Sequence, residues 1–126
     1  MQVTRGETNL YVTDIDRSAR FYCDALDFSI EESDDTFCKV VHPGFTITLF
    51  RAKGEGTGPR GKGEPIGSCP SMTADMRVDD IDEAAERIRA CGGEVEEIRA
   101  WEQGRFTLFR DPDGISWELI AQEGED

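Results

Sequence analysis

Three carboxylates stand out in this sequence by the faces that alternation gives them: Glu7, Asp75 and Glu118. Successive side chains of a strand point to opposite sides. Glu7 therefore shares a face with Asn9 and Tyr11, and Glu118 shares one with Ser116 and Ile120. In the same way Thr46, Thr48 and Phe50 fall together, as do Thr73, Asp75 and Arg77. Such a set can hold a small molecule through charge pairing, hydrogen bonds and stacking. A carboxylate among them can also take a proton next to a carbonyl group. Glu118 is the first candidate for that task. Trp117 and Leu119 flank it, and a carboxylate among apolar neighbours needs a partner or a purpose.

Plainer readings compete at several of these positions. Asp75 and Arg77, two apart on one strand, can simply pair with each other. Trp101 and Phe106 read as core before they read as walls of a site. The single histidine, His42, precedes Pro43 and reads as a surface turn residue. There is no Ser-His-Asp set, no phosphate-binding P-loop and no dinucleotide glycine fingerprint.

The elements that must position these residues are written twice. Val12, Asp14, Ile15, Asp16 and Ala19 return 66 positions later as Val78, Asp80, Ile81, Asp82 and Ala85. At a shift of 70, Gly44 to Phe50 returns as Gly114 to Ile120. Two copies are too few for a solenoid, so one domain built from two half-modules is expected. In the first, Thr8–Val12 reads as a strand, and Asp14 or Asp16 caps a helix with an apolar stripe of Ile15, Ala19, Tyr22 and Leu26. Strands over 28–32, 36–41 and 45–50 follow, separated by turns at Asp34-Asp35 and Pro43-Gly44. The second copy has a strand over 73–78, a helix from Asp82 stopping at Gly92-Gly93, and strands over 94–98, 105–109 and 115–121. The expected layout is a β-α-β-β-β module at 1–51, a Gly- and Pro-rich linker at 52–71, a second module at 72–122 and an acidic tail at 123–126.

A length of 126 residues suits about one domain. The charge of −13, from 27 acidic against 14 basic residues, opposes nucleic acid and accepts cationic ligands. No 18-residue apolar run spans a membrane and no secretory signal is visible, so a cytoplasmic protein is expected. Cys23, Cys38, Cys69 and Cys91 lack zinc-site or disulfide-framework spacing and read as small apolar residues of a reducing compartment.

The stretch from Val12 to Tyr22 followed by Leu26-Asp27-Phe28, joined by Phe109-Arg110-Asp111-Pro112-Asp113-Gly114 running into Trp117-Glu118-Leu119, resembles the glyoxalase / bleomycin-resistance / extradiol-dioxygenase group, the vicinal oxygen chelate superfamily. The resemblance covers roughly Thr8 to Gln122. It implies an α+β fold of paired β-α-β-β-β modules whose curved sheets form a cup, within a homodimer. It also implies a divalent metal held from the first and last strand of each module, commonly by His, Glu or Gln, His and Glu. By motif register those places are Glu7, Thr48, Thr73 and Glu118, and the internal shifts of 66 and 70 map Glu7 onto Thr73 and Thr48 onto Glu118. Both imidazoles are gone. No cofactor is therefore expected, and a divalent ion, if bound there, is a hard one held weakly by oxygen.

Two functions stand open. One is a metal-free binding protein that takes a small, cationic or hydrogen-bond-rich organic ligand in an acidic cup lined by Glu7, Asn9, Tyr11, Thr48, Phe50, Thr73, Asp75, Arg77 and Glu118. The other is a metal-dependent lyase or isomerase acting on an α-oxygenated carbonyl compound, with Glu118 or Glu7 as the base.

Overall fold

A computed structural model of the chain describes residues 1–52 and 74–122. The chain divides into two compact units, Met1–Pro59 and Arg60–Asp126. The first holds β1 (Thr8–Val12), α1 (Ile15–Leu26), β2 (Ser29–Ser33), β3 (Phe37–His42) and β4 (Phe45–Arg51). Its sheet runs β1-β4-β3-β2, with β1 parallel to β4 and the other pairs antiparallel. The second unit holds β5 (Asp75–Arg77), α2 (Ile81–Ala90), β6 (Glu94–Val95), β7 (Arg99–Trp101), β8 (Gly104–Arg110) and β9 (Ser116–Gln122). Its sheet runs β5-β9-β8-β6, and β7 also pairs with β8. The first unit is one β-α-β-β-β module, the second follows the same order with one additional short strand, and the class is mixed α+β.

The repeated aspartates do the same local job in both copies. Asp14 and Asp80 stand in extended conformation just before their helices, and each carboxylate accepts the N–H of the third residue on, Arg17 or Glu83, at 3.0 Å. The second helix was expected to begin at Asp82. It begins at Ile81 behind Asp80, because the Asp80 carboxylate is the one that reaches the free N–H, and Asp82 lies in the first turn. At the far end of α2, Gly92 takes φ 96° while Gly92 and Gly93 donate to the carbonyls of Arg89 and Ile88 at 3.3 and 2.9 Å. A left-handed residue at that place favours glycine, and the paired bonds satisfy the helix's last carbonyls.

In the first unit Val40, Ile47 and Leu49 are fully buried beneath α1, with Tyr22, Phe21 and Ala19 above them. In the second, Trp117 and Leu119 pack with Met76, Ala85 and Ile88, and the Trp117 ring stacks on Phe109 at 6.4 Å. The expected strand over 94–98 is shorter and is followed by another. Glu96 N–H still reaches Leu108 O at 2.9 Å, but the Glu96 carbonyl accepts from Thr107 Oγ1 at 2.9 Å, and the chain re-pairs with β8 only at β7.

The turn that aims β9 is built by Asp111. Its buried carboxylate accepts the N–H groups of Asp113 and Ile115, both at 2.9 Å, while Gly114 takes φ 86°. Of the expected strand over 73–78, Asp75–Arg77 is described. Thr73 and Cys69, the expected linker from residue 53 on and the tail at 123–126 lie outside the described residues. Cys23, Cys38 and Cys91 are free thiols.

Candidate functional site

Ladder partners in a sheet share a face, so the registers give the rows of side chains opposite the helices. In the first unit one row is Asn9, Thr48 and Lys39, and the next is Tyr11, Phe50 and Phe37. The second row is an aromatic ladder across three strands. Tyr11 stacks on Phe50 with centroids 5.7 Å apart, and Phe37 lies 6.4 Å from Phe50 at a tilt. Tyr11 is 52% exposed, and Phe50 and Phe37 are half-buried. Aromatic faces open to solvent in a row offer a stacking platform.

The polar row is shaped by Lys39. Its Nζ lies 3.8 Å from Glu7 Oε1, while Arg5 Nε lies 3.1 Å from Glu7 Oε2. Glu7 is therefore held between two cations, and its charge is not free. Thr48 is buried at 6% exposure beside Lys39 in the ladder. Of the residues expected at the site, this unit brings together Glu7, Asn9, Tyr11, Thr48 and Phe50. Lys39 and Phe37 join them from β3 without having been anticipated. Their signal was the alternation Phe37, Lys39, Val41 against Cys38, Val40.

The second unit repeats the rows with other chemistry. Asp75, Glu118 and Leu108 form one, and Arg77, Ile120 and Phe106 the next. Arg77 Nη1 donates to Gln122 Oε1 at 2.6 Å. Trp101 lies two ladder pairs further on, opposite Gly104, and meets Phe106 edge to face at 5.7 Å. Trp101 is exposed, so it walls the polar face and is not core. Glu118 is half-buried, and its N–H donates to Ala74 O at 2.9 Å. Matched through the repeat, Asn9, Thr48 and Lys39 of the first unit become Asp75, Glu118 and Leu108 of the second. One unit centres on an ammonium and the other on two carboxylates.

These donors do not fit the imidazole-bearing divalent site that the motif register implies. Among the described residues no group of three or more His, Cys, Asp and Glu is placed to hold a metal ion. Glu7 already faces two cations, and Thr48 offers a neutral hydroxyl. His42 alternates with Val41, so it points to the helix side of β3, where its ring lies 5.6 Å from that of Phe28. It is exposed, as expected.

A groove of about 370 Å³ opens between α1 and the β2–β3 hairpin, with Cys23 and Cys38 in its wall. Burial pushes both thiols up from their ordinary range, helped by Asp24 at Cys23 and by Cys23 itself at Cys38. They stay protonated, which makes them weak nucleophiles.

Comparison with known proteins completes the picture. The uncharacterized protein YaeR of Escherichia coli K12 is 31% identical over 122 residues, covering 90% of this chain and 92% of its own. The fosfomycin resistance protein FosX of Listeria monocytogenes superposes with a TM-score of 0.74 at 22% identity, covering 98% of this chain and 97% of its own. TnmS3, an antibiotic-binding protein of Streptomyces sp. CB03234, superposes at 0.70 with 20% identity, covering 97% of this chain and all of its own. No helix among the described residues is long and apolar enough to cross a membrane. Residues 4–119, nearly the whole chain, match one family throughout, and the protein belongs to the Glyoxalase/Bleomycin resistance protein/Dioxygenase superfamily.

Proposed function

We propose that this protein binds a small, planar organic molecule on the polar faces of its sheets and does so without a metal ion. The observation that carries the reading is the aromatic ladder of Tyr11, Phe50 and Phe37, exposed at Tyr11 and half-buried at the other two, beside a row of polar groups. Ligand pockets combine apolar and aromatic surface with a few placed polar groups, and the first unit supplies both. TnmS3, similar in fold, is an antibiotic-binding protein. The proposed working form is a cytoplasmic homodimer, as the family likeness implies. Attraction for a cationic ligand falls to Asp75 and Glu118 of the second unit, since the Glu7 charge is compensated by Arg5 and Lys39.

The test is thermal shift against a panel of planar antibiotics and aromatic metabolites. A ligand at 100 times its dissociation constant adds about 2.7 kcal/mol to stability. The expected result is a dose-dependent rise in Tm that Tyr11→Ala abolishes. A flat response across the panel overturns the reading.

A second reading rests on Glu118, half-buried next to Asp75 across the β5–β9 ladder. There it acts as a base on an α-oxygenated carbonyl compound, in a lyase or isomerase of the family type. FosX of Listeria has been observed with manganese(II), the kind of hard ion an oxygen-only set accepts. Turnover of such a compound, lost in Glu118→Gln, would decide for this reading.

A further inference from the structure

We infer that Lys39 sets the ligand class of the first unit, and that this class is planar aromatic compounds carrying an anionic oxygen group, a carboxylate or phenolate, at the ring edge. The inference rests on the binding reading above and adds the polarity of the ligand. It reverses the polarity that the net charge of −13 suggests.

The geometry is that of two adjacent rows on one face. The row of Tyr11, Phe50 and Phe37 and the row of Asn9, Thr48 and Lys39 are two residues apart on each strand. At about 3.3 Å per residue, that separates them by roughly 6–7 Å. A ring stacked on the aromatic row therefore carries a substituent on its edge to the Lys39 row. What waits there is an ammonium with donors to give. Its contact with Glu7, at 3.8 Å, is an ion pair too long to be a hydrogen bond.

Glu7 does not cancel it. Arg5, its side chain 67% exposed, touches the same carboxylate at 3.1 Å, so Glu7 is shared and is not given wholly to Lys39. Glu32, the ladder partner of Lys39 on β2, is exposed, where solvent screens it. Lys39 is only 24% exposed in its side chain. A charge-assisted bond at such a place is stronger than one in open water. Asn9 adds an amide donor in the same row. The matched position in the second unit is Leu108, so that row carries no ammonium there.

Three probes of one shape separate the possibilities: 2-naphthoate, 2-naphthamide and 2-naphthylmethylammonium, titrated by protein-observed NMR or by calorimetry. In wild type, naphthoate should bind roughly tenfold tighter than the ammonium probe, the size expected of one charge-assisted bond. Lys39→Met should bring the three within about twofold of one another while naphthamide binding stays, and Lys39→Arg should keep the preference. Circular dichroism and Tm confirm that each variant folds. Naphthamide binding without a preference for naphthoate, or a preference that survives Lys39→Met, overturns the inference and leaves the binding reading standing. Absence of binding by all three probes overturns the inference, while the binding reading falls only on a flat response across the thermal-shift panel.

Discussion

Lys39 Nζ and Glu7 Oε1 stand 3.8 Å apart, joining the middle of β3 to the segment that leads into β1. For a divalent ion to use Glu7, it must displace both this ammonium and the Arg5 guanidinium. It would gain one carboxylate and the neutral Thr48 in return, a poor set for any ion that is not already hard and weakly held. Protein purified without chelators should therefore contain less than roughly one divalent ion per ten chains by elemental analysis. Millimolar manganese or EDTA should leave Tm where it was. Near-stoichiometric manganese, nickel or zinc after purification would refute the metal-free reading.

Glu118 is the carboxylate on which both functional readings converge. It lies half-buried on an interior strand, with Asp75 as its ladder partner on one side and Leu108 on the other. Glu118→Gln keeps shape and removes charge. Stability should change by less than about 1 kcal/mol. Affinity for a ligand that uses this face should fall roughly tenfold, the scale of a lost bond to a charged group. If Glu118 is instead a catalytic base, turnover should fall by about 100-fold or more with little change in binding. Unchanged affinity and unchanged turnover would remove Glu118 from the site.

How much of this was legible beforehand depends on whether a feature is local. The helix start at Asp14 or Asp16 and the helix stop at Gly92-Gly93 are written into a few consecutive residues. The start of α2 was misplaced because Asp79, Asp80 and Asp82 all qualify as caps by type. Only geometry decides which oxygen meets Glu83 N–H. β7 escaped notice because Arg99-Ala100-Trp101 is three residues with no alternation to read. Lys39 was missed for a different reason. Its strand shows the period of two, but which side joins Thr48 follows from pairing with β4, and register is not a local property.

Gly104 illustrates a constraint of that non-local kind. A Cβ at this position would come within 2.3 Å of Ala121 O and 2.9 Å of Gln122 Cα, both backbone atoms of the neighbouring strand. Neither can swing aside as a side-chain tip would. Gly104→Ala must therefore push β8 from β9 at the end nearest Trp101, at a cost of about 1–3 kcal/mol. Urea denaturation should show a lower midpoint with an unchanged slope. A variant as stable as wild type would mean that the two strands are further apart than described.

Arg105 and Asp82 provide the sharpest expectation about pH. The guanidinium on β8 grips the carboxylate in the first turn of α2 through two bonds, Nη1 to Oδ2 at 2.8 Å and Nη2 to Oδ1 at 2.9 Å. Those hydrogen bonds hold the Asp82 carboxyl below its ordinary value of 3.8, and the guanidinium charge adds to the effect. A carboxyl lowered by folding contributes stability above its unfolded value, and that contribution fades as pH falls through the lower folded value. The difference in Tm between wild type and Arg105→Gln should therefore be constant from neutral pH down to about 5 and shrink below 3.8. Because the pair is exposed, added salt should shrink the same difference at neutral pH. Carboxyl NMR titration reads the cause directly. Asp82 should titrate below 3.8 in wild type and return to it in Arg105→Gln, and an ordinary midpoint in wild type would dissolve the link between the two residues.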